Sequence, residues 1–329
     1  MKRHHVYGIG HALVDTEIRV TDDFLKQAGL TKGSMTLIDE ARRAELLALL
    51  GDAPRHRACG GSSANTLIGV AQLGGNAFHA SRVASDENGL FFTGDMRANG
   101  VANDLEKRPR TGTTGQCLVL ITPDAERTMC THLGISEFFS AEDLAPEELA
   151  ASEWLYVEGY LVTSPSARHA ACKAVSLARE HGVKIALTFS DASMIDYFGA
   201  GLEEIMGSGV DLIFCNQTEA LRYAGSDDLE VAKAALARRA PAFGLTLGAQ
   251  GAVVRLDGRD TLIPGMPVQA IDANGAGDLF AGALLYGLTH GFSPERAGRL
   301  ACRASARLVT RHGARLSREE TRDVLNTLD

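Results

Sequence analysis

Lys184-Ile185-Ala186-Leu187-Thr188-Phe189 reads as a buried strand, and helical spacing lies on both sides of it. Before it, Ser166 to His181 carries Ala167, Ala170, Ala174, Leu177 and Ala178 on one helical face, preceded by the apolar run Trp154-Leu155-Tyr156-Val157. After it, Ser193 to Met206 is helical and Asp211-Leu212-Ile213-Phe214-Cys215 strand-like. Val231 to Arg238 is helical again, and Phe243-Gly244-Leu245-Thr246-Leu247 closes the series as a strand. Strands alternating with helices imply parallel pairing through right-handed crossovers, because a parallel neighbour needs a long return connection. Such sheets bind ligands outside the carboxyl ends of their strands.

Two segments break the rhythm. Thr16 to Asp39 and Thr113 to Leu133 are richer in extended, alternating stretches. Gln116-Cys117-Leu118-Val119-Leu120-Ile121-Thr122, the turn Pro123-Asp124, and Arg127-Thr128-Met129-Cys130-Thr131 spell a hairpin. We read a small β-sheet, from about 12–40 and 110–134, serving as a lid on one domain spanning 1–329. The tail is helical over Gly277 to Leu288 and Pro294 to Thr310, punctuated by Gly291 and Gly313.

The chain has 329 residues and a net charge of -8, which disfavours nucleic acid or an anionic membrane as partner. Neither a signal-peptide nor a membrane-length apolar stretch stands out, so a cytoplasmic protein is expected. The six cysteines form no Cys-x-x-Cys pair and read as reduced fillers. There is no Gly-x-x-x-x-Gly-Lys-Ser/Thr. Gly8-Ile9-Gly10-His11-Ala12-Leu13 misses the dinucleotide fingerprint, and Gly60-Gly61-Ser62-Ser63-Ala64 misses the nucleophile elbow.

Four runs carry chemistry. Asp272-Ala273-Asn274-Gly275-Ala276-Gly277-Asp278 lies between an extended stretch, Val268 to Ile271, and a helix. Gly275, Ala276 and Gly277 leave room at a helix start, where outward N–H groups and the dipole favour an anion. Asp278 beside such a hole can take the proton of an attacking hydroxyl. A tight turn with a first-turn acid explains the same letters. Gly60-Gly61 before a helix lets a ligand approach, and Asn65 offers a donor and an acceptor to a polyol; a plain turn capped by Ser62 or Ser63 is the alternative. Asn216-Gln217-Thr218-Glu219 follows a strand end and could hold the waters of Mg²⁺, or could be a capping box. Thr246-Leu247-Gly248-Ala249-Gln250-Gly251 could admit a nucleotide, or turn a hairpin.

Taken together and in this order, these runs resemble the ribokinase-like (PfkB-type) family of ATP-dependent carbohydrate and nucleoside kinases. The family's signatures match as Gly60, Gly61 and Asn65; as Asp272 to Asp278; as Asn216 to Glu219; and as Thr246 to Gly248. The resemblance implies a ribokinase-like three-layer α/β/α domain with a mostly parallel central sheet and a small β-sheet lid. It implies Asp278 as catalytic base and Gly275, Ala276 and Gly277 as anion hole. Asp15, Gly60, Gly61 and Asn65 would grip sugar hydroxyls, with Cys117 and Asn274 also near substrate. ATP would meet Asn216, Glu219, Thr246, Gly248, Gly251 and Arg127. Glu219 and Asn216 would hold Mg²⁺ through water.

Several details look like the adenosine kinase branch. Asn274 matches its Asp-Thr-Asn-Gly-Ala-Gly-Asp, and Thr114-Gly115-Gln116-Cys117 to Arg127 resembles its lid hairpin. Ala301-Cys302-Arg303-Ala304 to Arg311-His312-Gly313 resembles its last helix and turn. There are departures. Ala273 replaces the family's Thr and removes a hydroxyl from any monovalent-cation site near Asp272. Leu187-Thr188-Phe189-Ser190 lacks that branch's Asn, and Met35 stands in the lid without a polar base-reader. The expectation is a nucleoside kinase, with adenosine first. A sugar kinase (ribose, fructose or a keto-deoxy sugar acid) is the second reading and a non-catalytic sensor the third. A monomer and a homodimer are both compatible with these features.

Overall fold

The computed structural model describes residues 2–124 and 126–328. Its main sheet has nine strands. In spatial order they are Arg259–Pro264, Gly251–Leu256, Ala242–Thr246, Leu212–Asn216, Lys184–Thr188, Ser152–Val157, His4–Ile9, Ala77–Ala80 and Val101–Ala102. The seven from Ala242–Thr246 to Val101–Ala102 are parallel, and the first two form an antiparallel edge. The chain builds outward in one direction from His4–Ile9 and in the other from Ser152–Val157. A crevice opens at the carboxyl ends where the order reverses.

Period-two alternation sends successive side chains to two separate cores. Val6, Trp154, Tyr156, Ala186, Leu212 and Phe214 face the helices Ser62–Gln72, Ala276–Thr289 and Pro294–Leu308. Tyr7, Leu155, Val157, Ile185, Leu187, Ile213 and Cys215 face Pro165–Glu180, Ala192–Met206 and Leu229–Arg239. The result is the expected three-layer sandwich. Among the described residues no helix is long and apolar enough to cross a membrane.

A second sheet of five strands has the order Met35–Leu37, Arg127–His132, Gly115–Ile121, Leu13–Arg19, Arg55–Gly60. The hairpin forms as read, with Gln116 opposite His132 and Ile121 opposite Arg127. One face packs Ile18, Leu118, Leu120 and Cys130 onto Leu25, Leu46 and Leu50 of two short helices. The other face looks at the crevice.

Three local readings need correction. Asp22–Gln27, inside the stretch read as extended, is a helix; Thr21 caps it by accepting from the Phe24 N–H at 3.1 Å, and Asp22 and Asp23 complement its dipole. Val268 to Ile271 is not a strand, and Val268 and Ile271 are exposed. It joins neither sheet, and its Ile271 N–H donates instead to the Val309 carbonyl oxygen at the end of a helix, at 2.7 Å. Arg55–Gly60, unassigned in the sequence, pairs antiparallel with Leu13–Arg19 and delivers the glycine pair to the crevice.

Candidate active site

A cavity of about 440 Å³ lies between the two sheets, in the range of small-molecule sites. Asp15, Gly61, Asn65, Cys117, Asn216, Glu219, Thr246, Asn274, Gly275, Gly277 and Asp278 all line it. Residues up to 263 positions apart in sequence meet there because the main-sheet strands end at this edge, two helices start beside it and the inner face of the small sheet looks onto it.

Asp278 is placed by two helices. Ala276–Thr289 starts at Gly275, which adopts φ 73°. It crosses Ser62–Gln72 closely, because a side chain at Gly282 would sit 2.4 Å from the Thr66 carbonyl oxygen. Phe280 meets Phe214 of the sheet edge-on, with centroids 6.5 Å apart, a contact of about 0.5–1.5 kcal/mol. Ser62 Oγ then donates to Asp278 Oδ1 at 2.6 Å, and Asn65 Nδ2 donates to Oδ2 at 3.1 Å. Burial pushes the Asp278 carboxyl up to about 6, against the pull of these two donors. A half-buried carboxylate held by two donors, with no Lys or Arg among the described residues lining its cavity, has the character of a general base.

Ser62 is therefore not the cap of its helix. Gly61 holds that position with φ 98° and no side-chain cap, since a Cβ there would meet the His11 carbonyl oxygen at 2.3 Å. The serine left free by this arrangement orients the acid. Ser62→Ala should lower turnover by about 10–150-fold, a charge-assisted hydrogen bond being worth about 1.5–3 kcal/mol. It should also move the acidic limb of the rate profile to higher pH, because a donor that holds Asp278 ionised is gone. An unchanged pH profile in that variant would contradict this role.

The sugar-side candidates converge as well. Asp15 leans on Gly60, whose added Cβ would lie 2.2 Å from Asp15 Oδ1. Burial pushes its carboxyl up to about 7, opposed chiefly by the Arg315 guanidinium. Arg315, Glu158 and His11 are residues the sequence reading missed. Arg315 bonds to the Cys59 carbonyl oxygen and approaches Asp95 at 3.4 Å, tying the strand that carries Gly60 to the C-terminal segment. Glu158 accepts from the Ser63 N–H at 2.9 Å and lies 3.3 Å from His11 Nδ1. Both Glu158 and His11 sit at carboxyl ends of adjacent central strands, a position that could have marked them.

The anion-hole loop is braced from outside. Asp272 accepts from the Asn274 N–H at 3.0 Å and the Gly313 N–H at 2.9 Å, and pairs with Arg127 at 3.0 Å. Arg127 also pairs with Glu17 at 3.1 Å and does not reach the cavity lining. Ala276 N–H turns back to the Ala273 carbonyl oxygen at 3.2 Å, while Gly277 and Asp278 N–H have no acceptor within the helix.

Asn216 and Glu219 form a reciprocal capping box: Asn216 Oδ1 accepts from the Glu219 N–H at 2.9 Å, and Glu219 Oε2 accepts from the Asn216 N–H at 3.0 Å. Burial pushes the Glu219 carboxyl up to about 7. Gly248 and Gly251 turn the hairpin between antiparallel strands, and Gly251 packs against the Ile263 carbonyl oxygen; neither lines the cavity, nor do Gly60 and Ala276.

Asp278 at a glycine-lined helix start and Asp15 thus face one cavity between the two sheets. The model of the pfkB family carbohydrate kinases matches residues 49–322. The chain belongs to this family. An adenosine kinase from Sinorhizobium meliloti superposes with a TM-score of 0.88 at 35% identity, covering 98% of this chain and 99% of that one. A Rhizobium etli protein described as a probable sugar kinase gives 0.89 at 35% identity, covering 99% of both. Adenosine kinase 1 of Arabidopsis thaliana is 27% identical over 335 residues, 93% of this chain and 94% of that protein. The pfkB-family chain is thus a phosphotransferase acting on a carbohydrate or nucleoside alcohol.

Kinases of this family use ATP and Mg²⁺. Among the described residues no group of three or more His, Cys, Asp or Glu is placed to hold a metal. The oxygens of Asn216 and Glu219 at a strand's carboxyl end fit an ion that keeps most of its waters.

Proposed function

We propose that this kinase phosphorylates the 5′ hydroxyl of a nucleoside, with adenosine the first candidate. The observation that carries the reading is the lining. Among the described residues no Lys or Arg lines the cavity, and six apolar side chains of its lid wall, Leu13, Met35, Leu37, Val119, Met129 and Leu133, stand beside Asp15, Cys117 and Thr131. A sugar acid would need a cation, and a bare sugar would have little use for six apolar side chains. A flat base beside the ribose matches such a wall.

In the reaction, Asp278 takes the proton of the 5′ hydroxyl as that oxygen forms its bond to the γ-phosphorus and the bond to the β–γ bridging oxygen breaks. Ser62 and Asn65 hold the base in line. The N–H groups of Gly277 and Asp278, with Gly275 shaping the turn, face the transferring charge. Asp15 and Gly61 grip the ribose diol. Asn216 and Glu219 would hold Mg²⁺ through its waters, and the ion would screen phosphate charge; Thr246 lines the nucleotide side, while Gly248 and Gly251 shape the hairpin turn behind it. The small sheet closes as a lid, with Arg127 at its junction with the anion-hole loop. That guanidinium already neutralises Asp272, so the reading requires no monovalent cation there.

The test is an ADP-release screen across nucleosides, pentoses, hexoses and sugar acids. Turnover is expected with adenosine. Turnover confined to sugars would overturn the proposal and favour the sugar-kinase reading, to which the Rhizobium etli likeness points.

A further inference from the structure

Arg55–Gly60 lies at the edge of the small sheet, with Leu13–Arg19 as its neighbour on one side. An edge strand leaves backbone groups without a ladder partner. At Cys59 two side chains take the place of the missing strand. Asp95 Oδ2, from the helix Glu87–Ala98, accepts from the Cys59 N–H at 2.8 Å. Arg315 donates to the Cys59 carbonyl oxygen and, at 3.3 Å, to Cys59 Sγ, and it pairs with Asp95 at 3.4 Å. Asp95 is fixed in turn, since its Oδ1 accepts from Asn99 Nδ2 at 3.0 Å. The Arg315 side chain is 15% exposed, so its charge is only weakly screened by solvent ions.

What this clamp holds is the floor beneath Asp15. The clamped carbonyl belongs to the peptide that joins Cys59 to Gly60. Both oxygens of the Asp15 carboxylate lie against Gly60, where a Cβ would come within 2.2 Å of Oδ1 and 2.4 Å of Oδ2. Asp15 lines the cavity, and Arg315 is not among the described residues that do. Burial pushes the Asp15 carboxyl up to about 7; of the charges around it, Arg315 opposes this most and Arg127 less, while Glu17 and Asp278 add to it. Cys117, opposite Asp15 on the neighbouring strand, is kept a neutral thiol by burial.

We propose that Arg315 is a positioning residue for substrate binding: from behind the cavity wall, by clamping Cys59, it sets where the Asp15 carboxylate meets the substrate's vicinal hydroxyls. Its charge also favours the ionised carboxylate, the form that accepts from both hydroxyls. The proposal rests on Asp15 as the hydroxyl grip, which the nucleoside and sugar-kinase readings share.

The test is a double-variant cycle with adenosine, or with ribose or fructose, whichever the ADP-release screen turns over, if nucleosides fail. Arg315→Met should raise KM by about 10–100-fold with kcat within about threefold, because the weakened grip is one made equally before and during transfer. In Asp15→Ala, which has no carboxylate to position, adding Arg315→Met should weaken affinity, measured by calorimetry, by no more than about twofold. Affinity of the unsubstituted protein should weaken as pH falls through about 7. In Arg315→Met that loss should begin about one pH unit higher. Arg315→Lys keeps the charge and gives up the guanidinium fork, so its pH dependence should stay near that of the unsubstituted protein. It also carries the cycle if Arg315→Met does not fold. Equal losses of affinity with and without Asp15, or an unmoved pH dependence in Arg315→Met, would overturn the proposal. Absence of turnover with every nucleoside would instead overturn the nucleoside reading, and the sugar arm would then decide this one.

Discussion

Asp278→Asn is expected to reduce turnover by about 10²–10⁴-fold, the usual contribution of a positioned general base, while substrate and ATP affinities change only a few-fold. The replacement is isosteric. Ser62 can still donate to the new amide oxygen, and the Asn65 side chain can rotate to offer its Oδ1, which is buried without a partner. Loss of rate at preserved affinity thus isolates proton removal from binding; kcat by coupled assay and affinity by calorimetry would separate them. The pH dependence follows from the ionised form being the active one. With its carboxyl near 6, Asp278 is charged above that pH, so kcat/KM should fall as pH drops through about 6. That limb should vanish in the Asn variant. Near-normal turnover in Asp278→Asn would refute the assignment.

Gly275→Ala is expected to damage both stability and rate, and comparison with Gly277→Ala explains why. Gly275 has φ 73°, and a Cβ on it would lie 2.3 Å from the Ala314 carbonyl oxygen, a backbone atom that cannot step aside. Strain of this kind costs about 1–3 kcal/mol. The displaced turn should also misaim the Gly277 and Asp278 N–H groups, lowering kcat by about 10²–10³-fold, as loss of an anion-hole donor does. At Gly277 a Cβ meets nothing within 4 Å. Gly277→Ala should therefore unfold at the same temperature as the unsubstituted protein yet still lose rate, because the proposed mechanism brings the phosphoryl group into the open space there. Thermal unfolding with kcat in both variants checks this. Full activity in Gly277→Ala would argue against a phosphate site at this helix start.

Each local run had an ordinary explanation, and the structure shows that the two readings often coexist. Asn216 and Glu219 do form the capping box, and they also line the cavity. The glycines at 248 and 251 do turn a hairpin. By contrast, Ser62 does not cap its helix, which frees its hydroxyl for Asp278. Local letters could not decide between these cases, because capping and ligand binding ask for the same small polar residues.

The sequence alone determined the alternation of strand and helix between Trp154 and Leu247, the hairpin of the small sheet, and the helix that begins at the Gly-Ala-Gly run. These depend on periodicity and turn chemistry, which act over a few residues. Tertiary structure alone decided that Arg55–Gly60 joins the small sheet, that Glu158 and His11 meet at the crevice, and that Arg315 reaches Cys59. It also decided that Leu13, Met35, Leu37, Val119, Met129 and Leu133 converge on the cavity from the small sheet, beside Asp15, Cys117 and Thr131. Pairing partners and cavity walls are set by contacts between distant segments, and the free energy of those contacts depends on how the whole sheet twists and packs, which no short stretch of sequence encodes.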